Sequence, residues 1–305
     1  MVHFSDGHTL PLSDMKPFAL AMPERLRHPL MLASPHSGRI YPDCFLEQSR
    51  LNMATLRRSE DFCVDGLYNF APSLNLPYMV AQFPRSFVDV NRSAEEIDPT
   101  LLFQEEAEQN IEISRRVANG LGVIPRVVGA GIEIYPDPVG LFETRQRLAQ
   151  FHIPYHEALQ HCLAQIHEQC GAVVLIDCHS MPDTVSTRRL SAGKSCDIVL
   201  GDRYGASCHR DVVEAAEACF KKLGYRVARN DPYAGGYITQ RYGSPEKGLH
   251  SLQIEINRRL YMDERKLRLT PGFESLKANL KTFVMEMIEV AHTLPTPGFH
   301  ALAAE

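Results

Sequence analysis

The eight cysteines of this 305-residue chain contain no Cys-x-x-Cys pair. A zinc ribbon needs such closely spaced pairs, and a disulfide framework is typical of short secreted domains. Cys178, Cys196 and Cys219 instead stand in apolar or helical runs. The pattern argues against both kinds of scaffold and favours free, buried thiols in a reducing cytosol.

The chain also lacks the sequence features of exported and membrane-bound proteins. Its first residues, MVHFSDGHTLPLSD, have neither a basic start nor an apolar core, so we expect no signal peptide. No uninterrupted apolar stretch approaches the length needed to span a bilayer. We therefore predict a cytoplasmic protein with no membrane partner.

An excess of basic residues is absent as well. The formal net charge is −5, and the Lys and Arg residues are scattered rather than arranged in a stripe. A nucleic-acid partner is therefore not expected. The content of 44% hydrophobic and 23% charged residues is that of an ordinary globular protein. We predict one domain over residues 1–305, with a flexible tail after about residue 294.

What the chain does contain is a series of apolar, strand-like runs with helical patterns between or after them. Such alternation predicts an α/β sheet covered by helices on both faces. The short distance between two of the runs, at residues 78–83 and 87–90, indicates a local antiparallel or mixed region. The predicted strands are Leu30–Ser34, Tyr78–Phe83, Phe87–Val90, Val123–Val128, Ala172–Asp177, Ile198–Leu200, Tyr225–Ala228 and Ser251–Ile256. The predicted helices are Leu101–Leu121, Tyr155–Gln169, Arg210–Leu223 and Phe273–His292.

Two of the strand-like runs are each followed by a histidine. His36 lies in the segment SPHSG after one apolar run, and His179 lies in the segment DCHS after another. In open α/β sheets the carboxyl ends of the strands line the crevice where ligands bind. The matched positions therefore predict a split metal site. Hydrolytic zinc sites typically have three protein ligands and an open position for water.

The third ligand is expected to be a carboxylate from the acidic segment SEDFCVD at residues 59–65. Asp61 is the first choice, Glu60 the second and Asp65 the third. The alternative interpretation is that Glu60 begins a helix and that Asp61 and Asp65 form its solvated face. His156 is not expected to be a ligand, because Pro154 interrupts the helical turn before it, and a structural role is favoured.

The segment PRSFVDVNR places Arg85 and Arg92 at the two ends of a short alternating run. Arginine forks bind carboxylates bidentately, so this unit suits an acidic substrate. The alternative is a pair of surface salt bridges from these arginines to Asp89 and Glu95.

Two later segments complete the set of candidates. Residues 230–240 combine a turn, two adjacent glycines and hydroxyl side chains, as expected of a loop that closes over a ligand or of an ordinary long loop. Glu255 stands in an apolar strand and shares a face with Gln253 and Asn257. A glutamate there is costly unless it faces a crevice or a partner. It could act as a general base towards water, or form a buried salt bridge to Arg258 or Arg259.

Taken in order, these segments resemble the N-formylglutamate amidohydrolase family. The resemblance runs from about Leu32 to about Arg258, and it implies a three-layer α/β/α fold with a central mixed sheet, related to zinc carboxypeptidases and aspartoacylase-like enzymes. It also implies zinc, or another divalent metal, and hydrolysis of N-formyl-L-glutamate to formate and L-glutamate, as in histidine breakdown. The motifs that carry it are SPHSGRIYP, SEDFCVD, RSFVDVNR, DCHSMP, NDPYAGGYITQ and QIEINR.

The resemblance further implies a role for each candidate residue. Relatives use a histidine and an acid, then an arginine, an Asn-Arg pair, a second histidine and a late glutamate. They place the acid three residues after the first histidine, where this chain has Arg39, so Asp61 rests on the acidic segment alone. The metal ligands would be His36, Asp61 and His179, the catalytic residues Glu255 and Arg85, and the substrate-binding residues Asn91, Arg92, Tyr237 and Thr239.

Three other functions stay open at this point. The nearest is a zinc amidase for another N-acyl amino acid. A serine hydrolase using Ser34, Ser37 or Ser180 ranks low, because the chain has no Gly-x-Ser-x-Gly segment. A non-catalytic binding protein for acidic ligands would need the arginines but neither a metal nor Glu255. The sequence does not indicate an oligomeric state.

Overall fold

The structure is a computed structural model that describes residues 7–106, 113–129, 131–184 and 196–295. A seven-stranded mixed sheet lies at its centre, with the strand order β6-β5-β7-β4-β2-β3-β1. The prediction of an α/β fold with a central mixed sheet is confirmed. The strands are β1 (Phe18–Ala21), β2 (Leu30–Ser34), β3 (Tyr78–Ala81), β4 (Val173–Met181), β5 (Ile198–Gly201), β6 (Val227–Arg229) and β7 (Leu249–Asn257).

Three neighbouring strands of the sheet run parallel. β4 pairs in parallel with β2 on one side and with β7 on the other, while β5 pairs antiparallel with β7. All nine residues of β4 are buried, as are eight of the nine in β7. Near-continuous burial is typical of strands inside a parallel sheet. Because the three strands run in the same direction, the carboxyl ends of β2, β4 and β7 meet at one edge.

The helices are mostly short. The α-helices are α1 (Asp43–Gln48), α2 (Met53–Leu56), α3 (Val64–Leu67), α4 (Arg115–Ala118), α5 (Leu141–Arg147), α6 (Ile153–Cys170), α7 (Arg210–Lys222), α8 (Tyr237–Tyr242) and α9 (Gly272–His292). A π-helical turn at Leu148–His152 joins α5 to α6. The 3₁₀ turns are Leu12–Asp14, Arg57–Ser59, Ala71–Leu74, Pro99–Leu101, Gln104–Glu106, Pro245–Lys247 and Arg258–Leu260. None of the helices in the described ranges has the length and apolar character needed to cross a membrane.

Three two-stranded pairs lie outside the main sheet. His8–Leu10 pairs in parallel with Ile40–Pro42. The other two pairs are antiparallel, and they join Val127–Val128 to Ile132–Glu133 and Met262–Asp263 to Arg268–Leu269.

The chain divides into two compact units, the first built mainly from Pro35–Cys63 and Val80–Ala158. Its interior contains the buried guanidinium of Arg147, which lies 4.4 Å from the centroid of the Phe87 ring. The same guanidinium donates a 2.7 Å hydrogen bond to the hydroxyl of Tyr135. Cation–π and hydrogen-bond contacts of this kind compensate the burial of the charge.

The second unit contains Leu20–Ser34, Val64–Met79 and the chain from Leu159 onward. It holds β2 and β4 to β7, together with α3, α7, α8 and α9. Phe220 of α7 stacks on Phe283 of α9, with ring centroids 4.3 Å apart. The predicted single domain over residues 1–305 stays a prediction, and the predicted tail falls almost entirely on residues 296–305, outside the described residues.

Six of the predicted strands occur as β2 to β7, and three of the predicted helices occur as α6, α7 and α9. The predicted strand at Phe87–Val90 is wrong, because the backbone N–H of Phe87 donates to Pro84 O and closes a turn instead. The predicted strand at Val123–Val128 is reduced to its last two residues. The predicted elements do not include β1, α5 or α8.

The predicted helix at Leu101–Leu121 is also wrong within the described residues. Leu102 has extended backbone angles, φ −94° and ψ 153°, immediately after a 3₁₀ turn. A separate helix, α4, begins where the Ser114 side chain accepts a hydrogen bond from the backbone N–H of Val117. Local side-chain caps therefore replace the long helix that the apolar spacing suggested. Residues 107–112 of this prediction lie outside the described residues.

The packing of α9 gives a stability prediction. Phe283 is fully buried, whereas Met285 on the same helix is 51% exposed. Phe283→Ala should lower the free energy of unfolding by about 3–5 kcal/mol, because it leaves a cavity against Phe220. Met285→Ala should change it by no more than about 0.5 kcal/mol. Denaturant titration followed by circular dichroism measures both variants, and equal losses would contradict the assignment of Phe283 to the core.

Candidate metal centre and active site

The two longest strands of the sheet carry four polar residues in two adjacent rows. In the parallel pair of β4 and β7, Glu255 lies opposite His179, and Gln253 lies opposite Asp177. Residues opposite each other on neighbouring strands face the same side of the sheet, with backbones about 4.8 Å apart. Because side chains alternate along a strand, all four point to one face, towards the carboxyl ends of the strands.

His179 is held beside a buried carboxylate on its own strand. Its Nε2 atom lies 2.9 Å from Oδ1 of Asp177, two residues earlier and therefore on the same face. His179 is 2% exposed, and Asp177 is not exposed at all. The two groups are within ion-pair distance, but neither oxygen of Asp177 has an aligned hydrogen bond among the described residues.

Glu255 is oriented by a chain of two hydrogen bonds through Gln253. The side-chain amide of Gln253 donates to Oε1 of Glu255 at 2.8 Å. Its carbonyl oxygen accepts from the backbone N–H of Gly236 at 2.8 Å, at the start of α8. These two hydrogen bonds fix the orientation of the Glu255 carboxylate on the face of the sheet that it shares with His179.

Arg258 and Arg259, the possible salt-bridge partners of Glu255, have other contacts. Arg258 donates to Oγ of Ser180 at 3.1 Å. Arg259 pairs with Asp183 and with Asp197.

In the first unit, the segment after β2 brings His36 next to Asp61. The backbone N–H of Asp61 donates to the carbonyl of His36 at 3.0 Å, and the Nδ1 atom of His36 lies 3.5 Å from Oδ2 of Asp61. Gly38 is required in this segment, because a Cβ atom there would lie 2.0 Å from the carbonyl oxygen of Phe83.

His36, Asp61 and His179 form a group that could hold a metal ion. All three residues are buried, and one ligand atom from each lies within 4.8 Å of the others. No second group of three or more such residues was found among the described residues. Two imidazole nitrogens and a carboxylate oxygen are the donor set of many catalytic zinc sites. The structure therefore brings together the three residues predicted as ligands.

Glu60, the second choice as third ligand, is committed elsewhere. Its carboxylate accepts hydrogen bonds from the hydroxyl of Tyr41 at 2.8 Å and from Nε of Arg57 at 3.1 Å. Burial raises the pKa of Glu60, although Arg57 and Tyr41 oppose the shift. Asp65, the third choice, lies in the first turn of α3 and does not belong to the group.

Asp89 connects His36 to the predicted arginine. One carboxylate oxygen lies 2.7 Å from Nε2 of His36 and accepts the backbone N–H of Asn91 at 2.9 Å. The other accepts from Arg85 at 2.7 Å. Burial alone would raise the pKa of Asp89, but Arg85, His36 and Arg92 hold it well below its usual range. The salt bridge to Asp89 that was considered as an alternative thus exists, and it is buried against His36.

Two neighbouring histidines, with rings tilted by 50° to each other, support the backbone of the same segment. Nε2 of His156 lies 2.9 Å from the carbonyl oxygen of Val90, and Nε2 of His152 lies 2.9 Å from that of Arg92. The two rings are 4.4 Å apart, in spite of Pro154 between them. Their partners are backbone carbonyls, so the structural role favoured for His156 agrees with its contacts.

The predicted substrate-binding residues have mixed environments. Arg92 is 8% exposed and donates to the carbonyls of Asn91 and Leu121. Tyr237, half-buried in α8, accepts a hydrogen bond from Arg241 at 2.8 Å. Thr239 is fully buried, and its hydroxyl donates to the carbonyl of Gly236. Contact of these side chains with a substrate stays a prediction.

The residues predicted for the site do not include three that shape it, namely Asp89, Asp177 and Gln253. Asp177 could have been found, because it stands two positions before His179 on a predicted strand. Gln253 could have been found in the same way beside Glu255. The sequence indicates Asp89 only as a surface partner of Arg85, because the alternating pattern hides the turn on which its contact with His36 depends.

Comparisons with known proteins agree with these motifs. A family model described as N-formylglutamate amidohydrolase matches residues 28–262. A protein of Pseudomonas aeruginosa named N-formylglutamate deformylase is 30% identical over 246 residues, which cover 79% of this chain and 85% of that protein. A protein of Pseudomonas putida with the same name is 30% identical over 243 residues, covering 78% of this chain and 83% of that protein.

Solved structures show a similar arrangement of the chain. The crystal structure of N-formylglutamate amidohydrolase from Ralstonia eutropha matches with a TM-score of 0.83 and 33% identity, covering 92% of this chain and 99% of that one. A gene product of Agrobacterium tumefaciens matches with a TM-score of 0.59 and 16% identity, over 92% of this chain and 96% of that one. The second match is a likeness of fold alone.

Because Glu60 and Asp61 have different partners, we expect their substitution to have different effects on metal binding. Asp61→Asn should weaken zinc binding by more than the roughly 10–100-fold typical of losing a residue that only orients a ligand. Glu60→Gln should leave zinc affinity unchanged, because Glu60 is bound by Arg57 and Tyr41. Competition with a chromogenic chelator measures both affinities. A loss confined to Glu60→Gln would reverse the assignment.

Proposed function

The chain belongs to the N-formylglutamate amidohydrolase family, and from this premise we propose that it hydrolyses N-formyl-L-glutamate to formate and L-glutamate. The observation that carries the proposal is the buried group of His36, Asp61 and His179, with Glu255 in register beside His179. Relatives named for this reaction support the choice of substrate. A cytoplasmic location, as in histidine breakdown, is part of the proposal.

The donor set fits zinc as the resident metal. Two of the donors are imidazoles that each lie next to a buried aspartate, and the third is a buried carboxylate. Zinc held by His36, Asp61 and His179 would polarise the formyl oxygen and lower the pKa of water. Buried nitrogen and oxygen donors of this kind are also compatible with another divalent metal.

Glu255 is the proposed general base and acid. It accepts a proton from the attacking water as the oxygen of that water bonds to the formyl carbon. It then delivers the proton to the nitrogen of glutamate as the carbon–nitrogen bond breaks. The position of Glu255 beside His179 supports this role, and the hydrogen bond from Gln253 keeps its carboxylate oriented.

Arg85 is the proposed stabiliser of negative charge on the formyl oxygen. Its side chain is 24% exposed, and it is tied to His36 through Asp89. A fixed cation near the reacting carbonyl stabilises an oxyanion without reorganisation during the reaction. Arg85 therefore combines a structural contact with a position suited to catalysis.

Substrate binding is assigned to the amino-acid end of the molecule. A formyl group is small, whereas glutamate brings two carboxylates, so most of the binding energy should come from charge-assisted contacts. Arg92 and Asn91 are the proposed partners of a substrate carboxylate, because they adjoin Asp89 and Arg85 in one buried segment. Tyr237 and Thr239 are also proposed to contribute to substrate binding, because they lie in α8, whose first residues contact Gln253.

Replacement of the proposed base separates binding from chemistry. Glu255→Gln keeps the size and the hydrogen-bonding capacity of the side chain but removes the proton acceptor. We expect kcat to fall by roughly 10²–10⁴-fold, with zinc affinity and KM close to those of the unmodified enzyme. Steady-state kinetics with zinc-loaded protein measures this. Normal turnover by the variant would mean that another group accepts the proton.

The proposed substrate predicts selectivity for a second carboxylate. N-formylglutamine lacks the side-chain charge, and losing one desolvated, charge-assisted contact costs about 2–5 kcal/mol. Its kcat/KM should therefore be far below that of N-formylglutamate, and N-acetylglutamate serves as the control for the acyl group. Arg92→Lys should raise KM strongly, since an ammonium cannot form the bidentate contact. Equal kcat/KM for the two formyl substrates would refute the choice of glutamate while leaving a metal-dependent amidase possible.

A further inference from the structure

Arg203 lies shortly after β5 and against the glycine pair, Gly235 and Gly236, that precedes α8. Its backbone N–H donates to the carbonyl of Ala234 at 2.7 Å. A Cβ atom on Gly235 would lie 3.0 Å from Cγ of Arg203, so the stem of the arginine packs on the bare Cα of that glycine. We propose that Arg203 is a specificity-determining residue that binds the side-chain carboxylate of the substrate. The inference rests on the proposed function and names the residue that reads the second carboxylate.

The guanidinium of Arg203 is a half-buried cation without an acidic partner. Among the residues that the structure describes, no carboxylate lies within ion-pair distance of it, and no side chain is hydrogen-bonded to it. The neighbouring acid, Asp202, has another partner, because its carboxylate accepts from the side-chain amide of Asn230 at 2.6 Å. A partly desolvated cation without a counter-charge is costly. Arg203 is therefore suited to an anion that comes from outside the protein.

Two other arginines of the surrounding segments already have partners. Arg229, at the end of β6, pairs with Glu217 of α7. Arg241 of α8 donates to the hydroxyl of Tyr237 at 2.8 Å. In contrast to these two, Arg203 is available to a carboxylate of a ligand.

The loop that carries Arg203 has an unusual backbone conformation that its neighbours hold in place. Arg203 and Tyr204 both have left-handed backbone angles, with φ of 53° and 58°. The side-chain oxygen of Asn230 accepts the backbone N–H of Asp202 at 3.1 Å and that of Tyr204 at 3.4 Å, on either side of the arginine. Residues other than glycine adopt such angles rarely, and these angles persist where the surroundings over-determine them. The backbone of Arg203 is thus fixed before a ligand binds, which lowers the entropic cost of binding.

The same glycine pair connects Arg203 to the proposed general base. The backbone N–H of Gly236 donates to Gln253, which in turn donates to Glu255. Arg203 is the most remote member of this series of contacts, and Gln253 alone is about 7 Å from Glu255 along β7. This order matches the side-chain carboxylate of the substrate, which is separated from the formyl carbon by more bonds than the α-carboxylate is. One guanidinium fork binds one carboxylate, so the α-carboxylate is left to Arg92.

The test measures how strongly the enzyme prefers a charged substrate side chain. The kcat/KM values for N-formylglutamate and N-formylglutamine are compared in zinc-loaded unmodified enzyme, Arg203→Gln and Arg210→Gln. Arg210 is the matched control, because its side chain is 80% exposed on α7 and pairs with Glu214. Arg203→Gln should lower kcat/KM for N-formylglutamate by roughly 10–100-fold, as expected for the loss of one charge-assisted hydrogen bond. Its kcat/KM for N-formylglutamine should stay unchanged, and Arg210→Gln should alter neither value.

Two further readouts distinguish recognition of the carboxylate from a structural effect. Arg203→Lys keeps the charge but cannot form the bidentate contact, so its preference for N-formylglutamate should lie between those of the unmodified enzyme and Arg203→Gln. Calorimetry should show weaker binding of L-glutamate to Arg203→Gln and unchanged binding of L-glutamine. If Arg203→Gln does not fold, Arg203→Lys decides, and a preference equal to that of the unmodified enzyme overturns the inference.

The outcomes separate the inference from the proposed function. An undiminished preference for N-formylglutamate in Arg203→Gln would overturn the inference and leave the proposed function standing. A parallel loss for both substrates would also overturn it, because the arginine would then be structural. Equal kcat/KM values of the unmodified enzyme for the two substrates would overturn both. If the unmodified chain hydrolyses neither substrate, the proposed function fails and calorimetry decides: weaker binding of L-glutamate alone to Arg203→Gln supports the inference, and unchanged binding overturns it.

Discussion

The parallel, in-register pairing of β4 with β7 is the constraint on which the candidate site depends. It places Glu255 beside His179 and Gln253 beside Asp177 without any long loop between them. Backbone hydrogen bonds along nine paired residues hold this arrangement. A shift of one residue would turn every polar side chain of one strand to the opposite face of the sheet. The relative placement of His179 and Glu255 is thus a property of the sheet, whereas His36 and Asp61 lie in segments outside its strands.

Ion pairs, as well as strand register, hold the buried acids near His36 in place. Arg85 neutralises Asp89, and Arg57 neutralises Glu60, so two of the buried acids near residue 36 have cationic partners inside the protein. Asp61 belongs instead to the group of possible metal ligands. The different partners of Glu60 and Asp61 explain how two adjacent acids serve different purposes.

Much of this arrangement could be predicted from the sequence, because it follows from local periodicity. Alternation placed Gln253, Glu255 and Asn257 on one face, and apolar runs located β2, β4 and β7. The pairing partner of each strand is not encoded locally, so the register that sets Glu255 opposite His179 could not be predicted. Alternation was also misleading at Phe87–Val90, where the carboxylate of Asp89 accepts the N–H of Asn91 and stabilises a turn.

The hydrogen bonds of Gln253 have a consequence for how Glu255 responds to its surroundings. A side-chain amide has one donating end and one accepting end, and Gly236 occupies the accepting end. The donating end then faces Glu255, and it supplies a hydrogen bond that the carboxylate oxygen accepts. The backbone N–H of Gly236 therefore decides which end of the Gln253 amide meets Glu255. The polarity that a side chain of the central sheet presents to Glu255 is thereby set from outside the sheet, by one backbone N–H at the start of α8.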